Sequence, residues 1–164
     1  MKLIFLDVDG TLVTKRTLAE RLALGLAGQA VADPACVDAL NQLIAETGAR
    51  IVLSSSWRFC GKLEMEAVLK LWGVDLKGWT FADQPIGLTP DLCERVNGRY
   101  QSVSRGLEIQ RYLDRCEDEV ESFVIIDDDP NMAPLEAHLV QTAFEEGFTR
   151  QKALEAYEIL NWRV

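Results

Sequence analysis

The stretch FLDVDGTL, residues 5–12, decides how the rest of the chain is interpreted. It continues an apolar run, residues 3–6, that is typical of a buried strand and that ends abruptly on Asp7 and then Asp9. A buried strand that ends on two carboxylates needs an explanation. For Asp7 taken alone, capping of the following turn is an equally good one.

Two more predicted strands also end in polar residues. Residues 50–53 run into a row of three serines that begins at Ser54, and residues 123–126 run into three aspartates that begin at Asp127. The carboxyl ends of parallel strands lie at one edge of the sheet, which is where open α/β folds bind ligands. Three separate segments are therefore expected to converge on one site rich in carboxylates and hydroxyls.

Helical patterns separate these strands. They cover residues 33–47, 61–72 and 150–160, a further helix begins after Ser104, and residues 138–142 are predicted to form a fourth strand. The alternation of strands and helices predicts an α/β fold of three layers, with a mainly parallel sheet between two layers of helices.

The composition narrows the function classes. The chain has 164 residues, enough for a single domain over residues 1–164, and its net charge of −9 argues against broad, non-specific binding of nucleic acids. Its apolar runs are too short to cross a membrane, and its first residues lack the pattern of a signal peptide. The four cysteines form no CxxC pair, so we expect free thiols in a soluble cytoplasmic protein rather than a zinc site.

The converging aspartates indicate a divalent cation. Without a counter-ion some of these carboxylates would take up protons, since four negative charges would lie close together, on Asp7, Asp9, Asp127 and Asp128. Oxygen ligands without histidine or thiolate suit Mg²⁺, which in turn recruits phosphate. A carboxylate can also attack phosphorus to give an acyl phosphate that water then hydrolyses. These residues therefore predict phosphoryl chemistry assisted by Mg²⁺.

The motifs resemble those of the haloacid dehalogenase (HAD) superfamily. FLDVDGTL resembles its first motif, hhhDxDGT; IVLSSSW resembles the second, and FVIIDDD the acidic fourth. More narrowly, SSSWR, SRGLEIQRYL, IIDDD and TAFEEGFT resemble the small HAD domains associated with RNA-repair (Swiss Army Knife) proteins. The resemblance spans residues 3 to about 142 and implies a Rossmann-like sheet in the order 5-4-1-2-3, with a helical turn and a flap after the first strand.

The resemblance implies a role for each residue of the first motif. Asp7 is expected to be the nucleophile and a Mg²⁺ ligand. Asp9 is expected to act as general acid on the leaving group and then as general base on water, with its backbone carbonyl on the metal. Thr11 is expected to orient Asp9 or the turn around it, as part of the substrate-binding set.

The other motifs complete the implied site. Ser54 is expected to hydrogen-bond the transferring phosphoryl group, with Ser55 beside it, and Asp127 and Asp128 to hold the metal directly or through water. The lysine that the family usually carries in its third motif is not matched. Arg105, in SRGLEI, takes that catalytic place, since a permanently charged arginine can also pair with phosphate.

Two further basic residues leave alternatives open. Lys62 is a rival to Arg105 for the third motif, with a solvated surface position as the alternative. Arg58, four residues after Ser54, either contacts the substrate phosphate or is an ordinary surface arginine.

The intervals between the motifs are too short for a full cap domain. About forty residues, 12–50, separate the first two motifs, and one or two helices are expected to use most of them. Residues 57–104 hold about one helix, one strand and a loop. An uncapped site suits the ends of macromolecules or terminal phosphates on larger molecules, and it also suits capping by a partner subunit. Three side chains of that loop could touch substrate, although a solvated connector is the alternative: Arg95, Arg99 and Tyr100.

The sequence thus predicts a Mg²⁺-dependent phosphatase that hydrolyses a phosphate monoester through an aspartyl-phosphate on Asp7. Its partner would be a phosphorylated small molecule, a nucleotide or a nucleic-acid end. The alternative is a non-catalytic HAD-like module that binds phosphate or metal in a larger assembly. The intact Asp9 argues against haloacid cleavage, which does not need that acid. The sequence predicts no particular oligomeric state.

Overall fold

A computed structural model describes residues 1–26, 28–77 and 87–162 of the chain. The strands are β1 Lys2–Leu6, β2 Arg50–Leu53, β3 Cys93–Val96, β4 Arg99–Ser102, β5 Ser122–Asp127 and β6 Leu139–Gln141. The α-helices are α1 Lys15–Ala23, α2 Pro34–Thr47, α3 Lys62–Leu71, α4 Arg105–Arg115 and α5 Arg150–Asn161. Short 3₁₀ helices cover Ser56–Cys60 and Glu136–His138.

Four of the strands form a parallel sheet in the order β2-β1-β5-β6. Leu6 of β1 lies opposite Leu53 of β2 and Ile126 of β5, so the residues that follow these three positions meet at one edge. At the outer edge of β2, an isolated parallel bridge joins Leu53 to Leu88. This arrangement confirms four positions of the expected strand order, and the fifth is represented in the described residues by that bridge.

Helices cover both faces of the sheet, as expected for three layers. Alternate side chains of β1 point to opposite sides: Ile4 and Leu6 belong to a core that includes residues of α2, α3 and α5. Leu3 and Phe5 belong to a second core with Ile109 and Tyr112 of α4. The three-layer prediction is therefore confirmed, because neither face of the central strand is left to solvent.

The main helices begin where the sequence signals predict. The Asp33 side chain accepts a hydrogen bond from the Ala35 amide, Pro34 opens α2, and Gly48 ends it at a positive φ of 65°. Ser104 caps α4 in the same way through the amide of Leu107. Both helix starts follow from side-chain caps that replace missing backbone partners.

Two features differ from the predicted pattern. The expected flap after the first strand is replaced by α1, which follows directly after a helical turn in which the Leu12 and Val13 amides donate to the Val8 carbonyl. The loop before Ser104 is a two-stranded antiparallel hairpin, β3–β4. The hairpin was missed because the side chains that the structure describes in it are exposed on both faces, which gives no alternation of buried and exposed positions to detect. Residues 78–86, which belong to the interval 57–104 between the motifs, lie outside the described residues.

A close backbone contact fixes the start of α4. A Cβ added at Gly106 would lie 2.5 Å from the Ala133 carbonyl oxygen and closer still to that of Met132, so only glycine fits there. The first residue of α4, Arg105, is thereby held beside the loop that follows β5. Among the described helices, none is long and apolar enough to cross a membrane.

Candidate active site

Asp7 lies at the carboxyl end of β1 and is only 5% exposed. Its backbone amide donates to the Ile126 carbonyl at 3.0 Å, so the sheet itself fixes the residue. An Nη1 atom of Arg105 lies 2.9 Å from its carboxylate, and the Ser55 hydroxyl also hydrogen-bonds it. Burial raises the pKa of Asp7 above its usual value, and Arg105 and Ser55 offset only part of that rise.

Asp127, at the end of β5, is fully buried. One carboxylate oxygen accepts a hydrogen bond from the Asp129 amide at 2.9 Å, and the other lies 2.5 Å from Arg105 Nη1. Burial and the neighbouring charge of Asp7 raise the pKa of Asp127 to about 7, against the opposing effect of Arg105. The buried carboxylates of Asp7 and Asp127 thus share one guanidinium nitrogen.

The residues at this edge could hold a divalent cation. Carboxylate oxygens of Asp7, Asp127 and Asp128 all lie within 4.8 Å of one another. Gly10 makes room for the third of these, since a Cβ at Gly10 would lie 2.9 Å from the Asp128 Cβ and closer to its carboxylate. An all-oxygen, negatively charged set of this kind fits a hard cation such as Mg²⁺. The Asp9 side chain is not one of these three carboxylates. This is consistent with the expectation that Asp9 contacts the metal through its backbone carbonyl.

Asp9 is not part of the acidic set, and it is exposed. Its Oδ2 atom accepts a hydrogen bond of 2.8 Å from the indole Nε1 of Trp57. Trp57 in turn packs edge-on against Trp72, with ring centroids 5.5 Å apart. Asp7 and Asp9 therefore differ in surroundings: one carboxylate is buried beside a cation, and the other faces open space beside an indole.

Ser54 supplies a buried hydroxyl without a hydrogen-bond partner in the structure. The residue is fully buried, and its amide donates to the Leu6 carbonyl at 2.9 Å, which places it across from Asp7. An unsatisfied buried hydroxyl costs about 1–3 kcal/mol, so such groups normally have a partner. The Ser54 hydroxyl is therefore available to donate a hydrogen bond to a ligand that lies beside Asp7.

Arg105 occupies the position that the sequence predicts for the cation of the site. It is the first residue of α4, its side chain is 23% exposed, and it pairs with both buried carboxylates. Burial lowers the pKa of Arg105, but the charges of Asp127 and Asp7 outweigh this and raise it above its usual value. The helix N-terminus adds backbone N–H groups that favour anions.

Two predicted substrate-binding residues, Thr11 and Arg58, have partners within the protein. Thr11 is fully buried, and its hydroxyl lies 3.2 Å from that of Thr142 at the end of β6. The Nη2 atom of Arg58 lies 2.9 Å from both carboxylate oxygens of Glu108, so Arg58 is not a solvated surface arginine. Its contact with a substrate phosphate stays a prediction. With side chains only 10% and 5% exposed, Arg58 and Glu108 form a buried ion pair that ties the 3₁₀ helix to α4.

Tyr100 and the basic side chains of the β3–β4 hairpin are exposed. Arg95 lies opposite Tyr100 across the two strands, so the two side chains project from the same face, and the tyrosine is 76% exposed. The hairpin is anchored beside the site, since the Leu92 amide donates to Glu108 at 3.1 Å and Ser104 caps α4 immediately after β4. Substrate contact by these side chains stays a prediction.

One residue of the arrangement, Glu108, and one contact, the bond from Trp57 to Asp9, were missed from the sequence. Glu108 had a usable signal, since it shares a helix face with Tyr112, four residues on, and a charged residue on an inward face needs a partner. The bond from Trp57 to Asp9 had none, because it joins two segments 48 residues apart in the chain.

A comparison with protein families decides the family. The model described as "HAD domain in Swiss Army Knife RNA repair proteins" matches residues 3–153. The chain belongs to this family. No significant match was found among curated proteins or among solved structures. Membership confirms the expected resemblance and supports a HAD-type hydrolase in general, with the acidic cluster of the family's site present.

The buried ion pair should be essential for stability. Replacement of one partner, Glu108→Gln, leaves the buried Arg58 charge with only the half-exposed Asp91 carboxylate, 3.7 Å away, as a counter-charge. We expect the free energy of unfolding to fall by about 3 kcal/mol, at the low end for a broken buried pair. Urea denaturation measures the change. The control is Glu94→Gln on the exposed hairpin, with an expected change within about 0.5 kcal/mol. Equal effects of the two substitutions would contradict a structural role for the pair.

Proposed function

We propose that the protein is a Mg²⁺-dependent phosphatase that hydrolyses phosphate monoesters through an aspartyl-phosphate on Asp7. The observation that carries the proposal is the pairing of Asp7 with Arg105 beside the unsatisfied hydroxyl of Ser54. A phosphoryl group placed next to Asp7 would meet a nucleophile, a cation and a donor at once. Electrostatic positioning of this kind is the main requirement of phosphoryl transfer.

The first chemical step transfers the phosphoryl group to the enzyme. A carboxylate oxygen of Asp7 forms a bond to phosphorus while the bond from phosphorus to the ester oxygen breaks. Asp9 donates its proton to the departing oxygen, a role that its exposed side chain supports. Arg105 and Ser54 would hold the phosphoryl oxygens as charge shifts towards them.

The second step releases phosphate. Asp9, now a carboxylate, takes a proton from water as the water oxygen bonds to phosphorus. The bond between phosphorus and the Asp7 oxygen breaks, which restores the Asp7 carboxylate and yields inorganic phosphate. The acid of the first step thus serves as the base of the second, and the cycle returns both aspartates to their starting state.

Mg²⁺ would be held by Asp7, Asp127 and Asp128, whose oxygens form the acidic set. When bound, it supplies positive charge that offsets the carboxylates and the transferring phosphoryl group. Arg105 already provides part of this compensation, because it contacts Asp7 and Asp127 directly.

A phosphorylated nucleic-acid end is the substrate class that we propose. The matching family is described by its occurrence in RNA repair proteins. Beyond α3, the interval 57–104 contains a small exposed hairpin, and its face with Arg95 and Tyr100 offers a cation for phosphate and a ring for base stacking. The net charge of −9 means that such binding would be local to the site rather than spread over the surface.

The proposal is tested by a phosphatase screen in the presence of Mg²⁺. The panel contains an aryl phosphate, 3′- and 5′-phosphorylated oligonucleotides, mononucleotides and sugar phosphates. Asp7→Asn should lower turnover by at least about a thousandfold, because the nucleophile is lost. The matched control, Asp38→Asn on the exposed side of α2, should retain full activity.

The screen separates the alternatives. Preference for oligonucleotide ends supports the substrate class, and preference for sugar phosphates or mononucleotides contradicts it while leaving the phosphatase proposal intact. Mg²⁺ binding without turnover of any substrate would contradict the enzyme and favour the non-catalytic module. Equal activity of the wild type and Asp7→Asn would contradict the proposed nucleophile.

Mg²⁺ affinity should rise with pH. The pKa of Asp127 is about 7, so near pH 6 this carboxyl is mostly protonated and the metal has to displace the proton. Above pH 7 the carboxylate is free, and we expect affinity to be about tenfold higher near pH 8 than near pH 6. Isothermal titration calorimetry in buffers of different ionisation enthalpy measures both the affinity and the proton release. An affinity that is constant over this range would contradict Asp127 as a ligand.

A further inference from the structure

Trp57 connects the exposed Asp9 carboxylate to the body of the protein. Its indole Nε1 donates to Asp9 Oδ2 at 2.8 Å, while its ring packs edge-on against Trp72 and against the main core. The ring is thus held by packing on one side, and its N–H group is aimed at the carboxylate. A rigid aromatic donor of this kind restricts how an exposed carboxylate can rotate.

The segment that carries Trp57 is itself held in place. Its amide donates to the Ser55 hydroxyl at 3.4 Å at the start of the 3₁₀ helix, and the same Ser55 side chain hydrogen-bonds Asp7. On the other side, Arg58 is tied to Glu108 of α4 by the buried ion pair. The position of the indole is therefore fixed relative to both the nucleophile and the helix that carries the cation.

The chemistry of the bond matches the task of a general acid. An indole N–H is a donor only, so it engages one carboxylate oxygen and cannot take the proton away. The bond to Oδ2 leaves Oδ1 as the oxygen that carries and transfers the proton. A small error in the direction of that oxygen would slow proton transfer to the leaving group, because general acids act only within hydrogen-bond reach.

We propose that Trp57 is a positioning residue that orients the Asp9 carboxyl group for proton transfer to the leaving group. The inference rests on the phosphatase function proposed above. It assigns the effect of Trp57 to one step only, the cleavage of the ester bond with proton donation. That step depends on the acid when the leaving group is a strongly basic alkoxide and hardly at all when it is a weakly basic nitrophenolate.

The test compares the two kinds of leaving group. Trp57→Phe keeps an aromatic ring against Trp72 and removes the N–H donor. We expect kcat/KM for an alkyl phosphate to fall about tenfold or more, and kcat/KM for nitrophenyl phosphate to change less than about threefold. The quantity kcat/KM is used because it covers only the steps up to formation of the aspartyl-phosphate.

Trp72→Phe is the matched control, since it alters the same aromatic pair and leaves the indole of Trp57 in place. It should change kcat/KM for both substrates by the same small factor. An equal loss on both substrates in Trp57→Phe, or no loss on either, would overturn the positioning role. Inactivity of the wild type on both substrates would instead remove the phosphatase function, and the positioning role with it.

A second measurement examines the contact without turnover. The chain has four tryptophans, so ¹⁵N-labelled protein gives few indole N–H signals, which triple-resonance spectra can assign. The Trp57 signal should shift in Asp9→Ala by more than the Trp72 signal, and its hydrogen exchange should become faster. No change in the Trp57 signal would overturn the proposal even if Trp57→Phe failed to fold.

Discussion

The contact of one guanidinium with two buried carboxylates is the interaction on which the site depends. Arg105 Nη1 lies 2.9 Å from Asp7 and 2.5 Å from Asp127, and both acids are almost inaccessible to solvent. Burial of carboxylate charges is unfavourable and raises the pKa values of both aspartates, and the charge of Asp7 adds to the rise at Asp127. The sheet brings the two carboxylates together, and the positive charge of Arg105, the first residue of α4, offsets part of the cost of burying them.

The position of α4 therefore matters more than a surface helix normally would. Gly106 allows its first turn to lie against the backbone of Met132 and Ala133, and the Arg58–Glu108 pair ties it to the segment after β2. That segment contributes Ser55 to Asp7 and Trp57 to Asp9. Residues 55–58 thus contact Asp7, Asp9 and α4, the helix that begins with Arg105. The nucleophile, the general acid and the cation are therefore positioned together rather than independently.

The sequence predicted the parts of the fold that depend on local patterns. The apolar runs of β1, β2 and β5 and the caps at Asp33 and Ser104 are local signals, and the family motifs supplied the order of the four strands. The hairpin β3–β4 was missed because its described side chains are exposed on both faces, and α1 was foreseen only as one of a possible pair of helices. For the site, strand ends predicted the gathering of Asp7, Ser54 and Asp127 at one edge.

What the sequence could not supply were contacts between side chains far apart in the chain. Arg58 was expected on substrate or on the surface, and its pairing with Glu108, 50 residues away, follows only from how α4 packs.

The most specific feature of the proposed mechanism is the covalent aspartyl-phosphate on Asp7. Its direct test is reduction with borohydride during turnover with Mg²⁺, followed by mass spectrometry of the peptides, since borohydride converts an aspartyl-phosphate to homoserine. We expect homoserine at position 7, and we expect it only when substrate is present. Turnover without homoserine there, or homoserine at another aspartate, would contradict it.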